Sequence, residues 1–256
     1  MYPDNPLQIS RALLAAMGTR MFIYHEDRIP DDCPVLVVSN HRSFMDAPLL
    51  MAGLGHSIRI ACHHYMGQVP VMREIVRQLG CFPLEEPEYR QQAFFHQATK
   101  LLEAHQWVGV FPEGAQPMVH LTKPSSLGKF HRGFAHLALR TPVRNLAILP
   151  VAIASQEETV NSAVPLRLLR LFDPSEPLFA QPGWHPMVLQ RRVAVLVGHP
   201  YWITPKQREQ YRGKQARAVV EEIATTCRDE ISKLLHQSLH ACDGSVSSSS
   251  LRSNFF

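Results

Sequence analysis

Residues 35–46 read VLVVSNHRSFMD, and the fold is decided by how that stretch divides. The apolar run at residues 35–38 is short and continuous, the pattern of a buried strand. Ser39, Asn40, His41, Arg42 and Ser43 interrupt it with polar side chains. Residues 44–51, FMDAPLLM, then open a helix, with Pro48 in the first turn, where proline is tolerated. A strand ending in a polar turn at a helix N-terminus is where open α/β sheets place ligands and chemistry.

Two side chains of this turn can act together. Imidazole serves as a base near neutral pH, which makes His41 a candidate. Asp46 follows five positions later, a spacing that a continuous helix would put on a different face. A turn at Arg42 and Ser43 lets the carboxylate fold back onto one ring nitrogen and leaves the other free to take a proton. That is the base and orienter of a triad without a protein nucleophile. A second reading stands beside it. Ser43-x-x-Asp46 resembles a capping box, in which Asp46 only satisfies backbone donors at the helix start.

Outward from the turn, apolar runs alternate with amphipathic stretches. Strands are expected at residues 58–62, 79–84, 107–111, 146–153 and 193–198. Helices are expected at residues 70–79, 91–105, 129–139 and 207–239. Alternation of this kind predicts an α/β fold, a mainly parallel central sheet with helices on both faces, in a single domain. Residues 7–24 carry Ile9, Leu13, Leu14, Met17 and Met21 at helical spacing, with Arg11 and Arg20 beside them. This N-terminal amphipathic helix either dips into lipid or covers one side of the core. Pro150 inside the apolar run at residues 146–153 predicts an edge or a bulge. Residues 156–190 are proline-rich and read as an irregular insertion, apolar enough at Leu166, Leu168, Leu169, Leu171 and Phe172 to pack on the core or touch lipid. The expected division is a helical segment at 1–30, a catalytic domain at 31–240 and a disordered Ser-rich tail at 241–256.

Composition narrows the function. The chain has 256 residues, 45% of them hydrophobic, enough for one sizeable domain. A net charge of +4 suits an anionic membrane surface or a phosphorylated substrate. No dense Lys/Arg run or basic-aromatic stripe points to nucleic acid. The cysteines, Cys33, Cys62, Cys81, Cys227 and Cys242, are odd in number and scattered, which implies reduced thiols in a cytoplasmic compartment and no zinc site. No run of about 18 to 20 apolar residues predicts a membrane-spanning helix. No Gly-x-Ser-x-Gly or His-Glu-x-x-His supports a hydrolase. His63 and His64 are adjacent, so their side chains diverge, and no third metal ligand is apparent.

Asn40 and His41-x4-Asp46 after an apolar strand, with Phe111-Pro112-Glu113-Gly114 downstream, resemble the glycerolipid acyltransferase superfamily. That superfamily includes the 1-acylglycerol-3-phosphate acyltransferases. The resemblance runs from about residue 34 to about residue 200, in the family's order of four blocks. It implies that a fatty acyl chain moves from a thioester to the hydroxyl of a lysophospholipid or 1-acylglycerol-3-phosphate, with His41 as base and Asp46 as its orienter. The donor would be acyl-CoA or an acyl carrier protein thioester, with no metal or redox cofactor. The expected substrate-binding set is Asn40, Arg42, Ser43, His63, Phe111, Pro112, Glu113, Gly114 and Gln116, with Glu113 and Gly114 lining the acceptor pocket. The protein would sit peripherally on the cytoplasmic face of a membrane, with a lipid acceptor and no nucleic acid partner. A non-catalytic lipid-binding relative is the alternative outside the enzymes. The sequence departs from its relatives at two positions where phosphatidic-acid-forming members usually carry arginine. Glu86 and Gln116 stand there, and Ala115 replaces the usual threonine. That departure keeps a neutral lipid alcohol in view as acceptor, unless Arg90, Lys123, Lys129 or Arg132 supplies the missing charge.

Overall fold

Strands that are apolar without interruption need cover on both faces, and helices supply it from two sides of one sheet. The computed structural model describes residues 5–62, 64–68, 70–85, 87–114, 123–171 and 183–242. Among these, eight strands are joined: β1 (Arg20–Tyr24), β2 (Val35–Ser39), β3 (Ile58–Cys62), β4 (Phe82–Pro83), β5 (Trp107–Val110), β6 (Ala147–Pro165), β7 (Trp184–Val197) and β8 (Tyr201–Trp202). Their order is β1-β7-β6-β2-β5-β3-β4, and β8 pairs with β6. Strands β4, β3, β5, β2 and β6 run parallel, while β6 and β7 pair antiparallel.

Alternate residues of β2 face opposite cores. Leu36 and Val38 join Leu102 of α5 (Pro87–Glu103), Leu137 of α6 (Gly133–Arg140), and Ile223 and Ile231 of α9 (Ala216–Cys242). Val35 and Val37 join Leu14 of α1 (Pro6–Ala16), Leu49 and Leu50 of α2 (Asp46–Leu54), and Val76 of α4 (Pro70–Gln78). The parallel, mostly buried sheet and its flanking helices are those expected from the alternating pattern.

Several local expectations change. Residues 7–24 divide into α1 and β1, and β1 lies parallel to β7 at the sheet edge. The apolar stripe of α1 packs on the core, with Leu7 and Ile9 half-buried against it, as are Met17 at the C-cap and Met21 of β1. Ser10 Oγ contacts Met51 Sδ of α2 at 3.2 Å. Of the two readings of this helix, covering the core is the one observed.

Residues 156–165 and 184–190 are not irregular. They extend β6 and β7 outward as a two-stranded arm, paired to Pro165 and Trp184 and interrupted by register shifts. Those shifts break the period-two pattern, so the sequence does not alternate cleanly. Proline is tolerated there because each strand of a two-stranded ribbon has an open edge. Pro150 lies in a central strand, not at an edge. It sits where the partner of β6 changes from β8 to β7, and Gly198 N–H donates to its carbonyl at 2.8 Å. Only the reciprocal bond is lost. Residues 243–256, expected to be disordered, and Phe172 lie outside the described residues.

Gly109 of β5 makes the close packing between strands legible. A Cβ there would lie 2.8 Å from Ile60 Cγ1 and 3.0 Å from Ile58 Cγ2. Gly109→Ala is therefore expected to overpack the sheet and cost about 1–3 kcal/mol, read as a lower denaturant midpoint at unchanged slope.

Candidate active site

Register brings the two motifs together. In the parallel pair β2–β5, Val38 lies beside Val110. Each chain then leaves its strand, and His41 and Glu113 arrive at the same sheet edge. His41 N–H donates to Glu113 Oε1 at 3.1 Å. The His41 ring stacks on Phe111 with centroids 4.1 Å apart and planes 9° from parallel. Phe111 thereby limits rotation of the imidazole.

Asp46 is the first residue of α2 and has no exposed surface. Its Oδ2 lies 2.9 Å from His41 Nδ1 and accepts from the backbone N–H groups of Arg42 at 2.6 Å and Ser43 at 2.8 Å. An oxygen that accepts from two amides is also an acceptor toward Nδ1. Nδ1 therefore carries a ring proton, and in the neutral imidazole the lone pair falls on Nε2. The carboxylate that contacts the ring thus also holds two backbone amides ahead of α2. The Ser43 hydroxyl does not complete a capping box, and Met45, the N-cap, has no side-chain capping bond. Ser43 Oγ in turn accepts from Met45 N at 3.1 Å and donates to Val188 O at 2.6 Å.

The arm braces the turn from the other side. Asn40 spans to β6, donating to Ile153 O at 2.9 Å and accepting from Ile153 N at 2.8 Å. Arg42 forms a forked ion pair with Glu158, at 2.8 Å and 2.5 Å. Gln190, buried in β7, reaches Asp46 Oδ1 with Nε2 at 3.3 Å. Glu113 is a clasp more than a pocket wall. Its Oε2 accepts from Gly128 N at 2.5 Å while Oε1 holds the His41 backbone. Burial raises its carboxyl above the ordinary range, opposed by those two amide bonds. Gly114 turns the chain with φ of 70°, and Pro112 O accepts from His131 N at 2.8 Å.

Of the expected site residues, Asn40, His41, Arg42, Ser43, Asp46, Phe111, Pro112, Glu113 and Gly114 gather at this one sheet edge. The polar groups of Asn40 and Arg42 are committed to β6, and those of Ser43 and Glu113 to backbone around the turn. His63, Glu86, Ala115 and Gln116 lie outside the described residues. His64 is held by Leu84 O at 3.0 Å. Arg132 pairs with Glu221. Three contributors were not foreseen. Glu158 and Gln190 lie in the stretch read as irregular, and no local pattern marks them. Gly128 has a signal only in three dimensions, since a Cβ there would meet Glu113 Oε2 at 2.9 Å. Burial also acts on the thiols among the described residues. Burial pushes those of Cys81 and Cys227 up to about 12, and Cys62 upward as well.

Comparison with known proteins gives the family and the fold. Residues 20–154 match the family described as Acyltransferase. The 1-acyl-sn-glycerol-3-phosphate acyltransferase LPAT1, chloroplastic, of Arabidopsis thaliana is 29% identical over 123 residues, covering 48% of this chain and 32% of that protein. The corresponding BAT2 protein of Brassica napus is 28% identical over 123 residues, covering 48% and 33%. The match thus spans about a third of the length of these curated relatives. The crystal structure of the 1-acyl-sn-glycerophosphate acyltransferase PlsC from Thermotoga maritima superposes with a TM-score of 0.59 at 15% identity, over 95% of this chain and 80% of that one. That likeness is one of fold.

The Arg42–Glu158 pair gives a pH signature. Its hydrogen bond to Arg42 holds the Glu158 carboxyl below the ordinary carboxylate range. A depressed carboxyl stabilises the fold above its unfolded value, and that contribution is lost as pH falls through the lower folded value. Glu158→Gln is expected to cost about 1.5–3 kcal/mol at neutral pH, as for a hydrogen bond between charged groups. In denaturant titrations, the gap between the two proteins should close only below the unfolded carboxylate value, about pH 4.3.

Proposed function

The chain belongs to the acyltransferase family, and from that premise we propose that it moves a fatty acyl chain from an acyl thioester to the hydroxyl of a 1-acylglycerol-3-phosphate or lysophospholipid, in phospholipid synthesis. The observation that carries this reading is the 2.9 Å contact between His41 Nδ1 and the buried Asp46 carboxylate.

The chemistry follows from that contact. The acceptor hydroxyl gives its proton to His41 Nε2 as its oxygen attacks the thioester carbonyl carbon. Asp46 holds the ring in the required tautomer and offsets the imidazolium charge that forms. Collapse of the tetrahedral intermediate breaks the carbon–sulfur bond, and the imidazolium returns the proton to the leaving thiolate. The thioester supplies an already activated acyl group, so the step draws on no metal or redox cofactor. The donor is acyl-CoA or an acyl carrier protein thioester.

The acceptor follows from the relatives, both of which are named for 1-acylglycerol-3-phosphate. Glu86 and Gln116 at the usual arginine positions favour a second reading, a neutral lipid alcohol. Arg132 is less suited to supply the missing charge, because Glu221 already pairs with it. Relative rates on 1-acylglycerol-3-phosphate and on an unphosphorylated acylglycerol separate the two. The protein works peripherally at the cytoplasmic face of a membrane. No helix among the described residues is long and apolar enough to cross one.

His41→Ala is expected to lower turnover by about two to four orders of magnitude. Its melting temperature should stay close to that of the wild type, since His41 contributes one stacked, partly exposed ring. Asp46→Asn is expected to lose both activity and stability, because its carboxylate also holds two backbone amides. Wild-type acyl transfer by folded His41→Ala protein would refute the mechanism.

A further inference from the structure

The β6–β7 arm carries a surface that the acyl-transfer site does not use. The arm is paired out to Pro165 and Trp184, and Leu166 N–H closes its end on Gly183 O at 3.0 Å. A short helical turn, α7 (Leu166–Leu169), lies at this tip. Among the described residues seven large hydrophobic side chains are exposed, and four belong to the arm. They are Val160 at 42%, Leu168 at 50%, Leu171 at 77% and Trp184 at 56%. A concentration of this kind marks an interaction surface, where scattered single residues would not.

Arg167 and Arg170 are exposed beside these residues. Residues 159–171 and 183–190 contain no Asp or Glu. Asp173 and Glu176, in the intervening segment, lie outside the described residues. Leucines and a tryptophan interleaved with arginine match an anionic lipid interface. The indole favours the headgroup level, and guanidinium groups meet phosphate. The apolar stripe of α1 is spent on the core, so it leaves this role unfilled.

We propose that the tip of the β6–β7 arm is the surface that seats this protein on an anionic membrane. The proposal deepens the lipid-acceptor reading and rests on it for its purpose. The arm is also joined to the catalytic turn, through Arg42–Glu158, Ser43–Val188 and Asp46–Gln190. Seating the tip therefore fixes where the His41 turn stands relative to the bilayer.

The test uses the full chain and flotation with phosphatidylcholine vesicles, made with and without phosphatidylglycerol. Wild type is expected to bind the anionic vesicles better. Leu168→Glu with Leu171→Glu should weaken that binding at least tenfold, and Arg167→Gln with Arg170→Gln should abolish the anionic preference. Both pairs are exposed, so circular dichroism should match the wild type. Turnover of a vesicle-embedded acceptor should fall in step with binding, while turnover of a water-soluble short-chain acceptor stays unchanged. Vesicle binding by both variants equal to wild type overturns the proposal. So does a change in self-association with vesicle binding intact, which would make the tip an interface between copies. Vesicle binding that responds to the variants, with no acyl transfer by wild type to either acceptor, would uphold the tip and remove the acyl-transfer reading instead.

Discussion

One buried carboxylate oxygen organises the centre of this protein. Asp46 Oδ2 collects a ring nitrogen and two backbone amides, all from the residues immediately before it. A carboxylate removed from water is costly unless its lone pairs are used, and here the turn itself supplies the donors. The helix N-terminus adds a favourable field for negative charge. The same contacts that make burial tolerable force residues 41–43 into the tight return that points the imidazole back at Asp46. Structure and chemistry therefore cannot be separated at this position.

That return needs support on both sides, and the sheet order provides it. β2 lies between β5 and β6, so a strand end flanks the turn on each side. From the β5 side, Glu113 ties the His41 backbone to Gly128, and Phe111 backs the ring. From the β6 side, Asn40 continues the ladder past its last strand residue, and Glu158 takes the guanidinium of Arg42. Most polar residues that look reactive in the sequence are thus consumed in bracing. His41 is left with a ring nitrogen outside this bracing, the one that the proposed mechanism uses.

The two glutamates respond oppositely to their surroundings. Glu113 meets neutral amides in a buried site, so desolvation raises its carboxyl. Glu158 meets a guanidinium nearer to solvent, and its carboxyl is lowered. Charge is kept where a cation answers it and is disfavoured where only dipoles do.

The strand, turn and helix at residues 35–54, the parallel alternating architecture and the pairing of His41 with Asp46 could all be read from the chain. Each depends on residues close in sequence, where periodicity and spacing carry the information. The meeting of His41 with Glu113 was legible only through the family resemblance. The arm was not legible, because bulges erase its alternation and its prolines mimic loop sequence. Glu158, Gln190 and Gly128 acquire their roles from strand register and close approach across long chain separations, and no local pattern encodes those. The choice between a lipid-dipping and a core-covering α1 was likewise tertiary. The same amphipathic stripe suits either partner, and the open face of α2 and the sheet claimed it. By itself the sequence determined the central strand, turn and helix, the alternating architecture, and the spacing that lets Asp46 meet His41. Tertiary packing decided what braces that dyad and which apolar side chains remain for another surface, because burial depends on neighbours that the chain brings together only when folded.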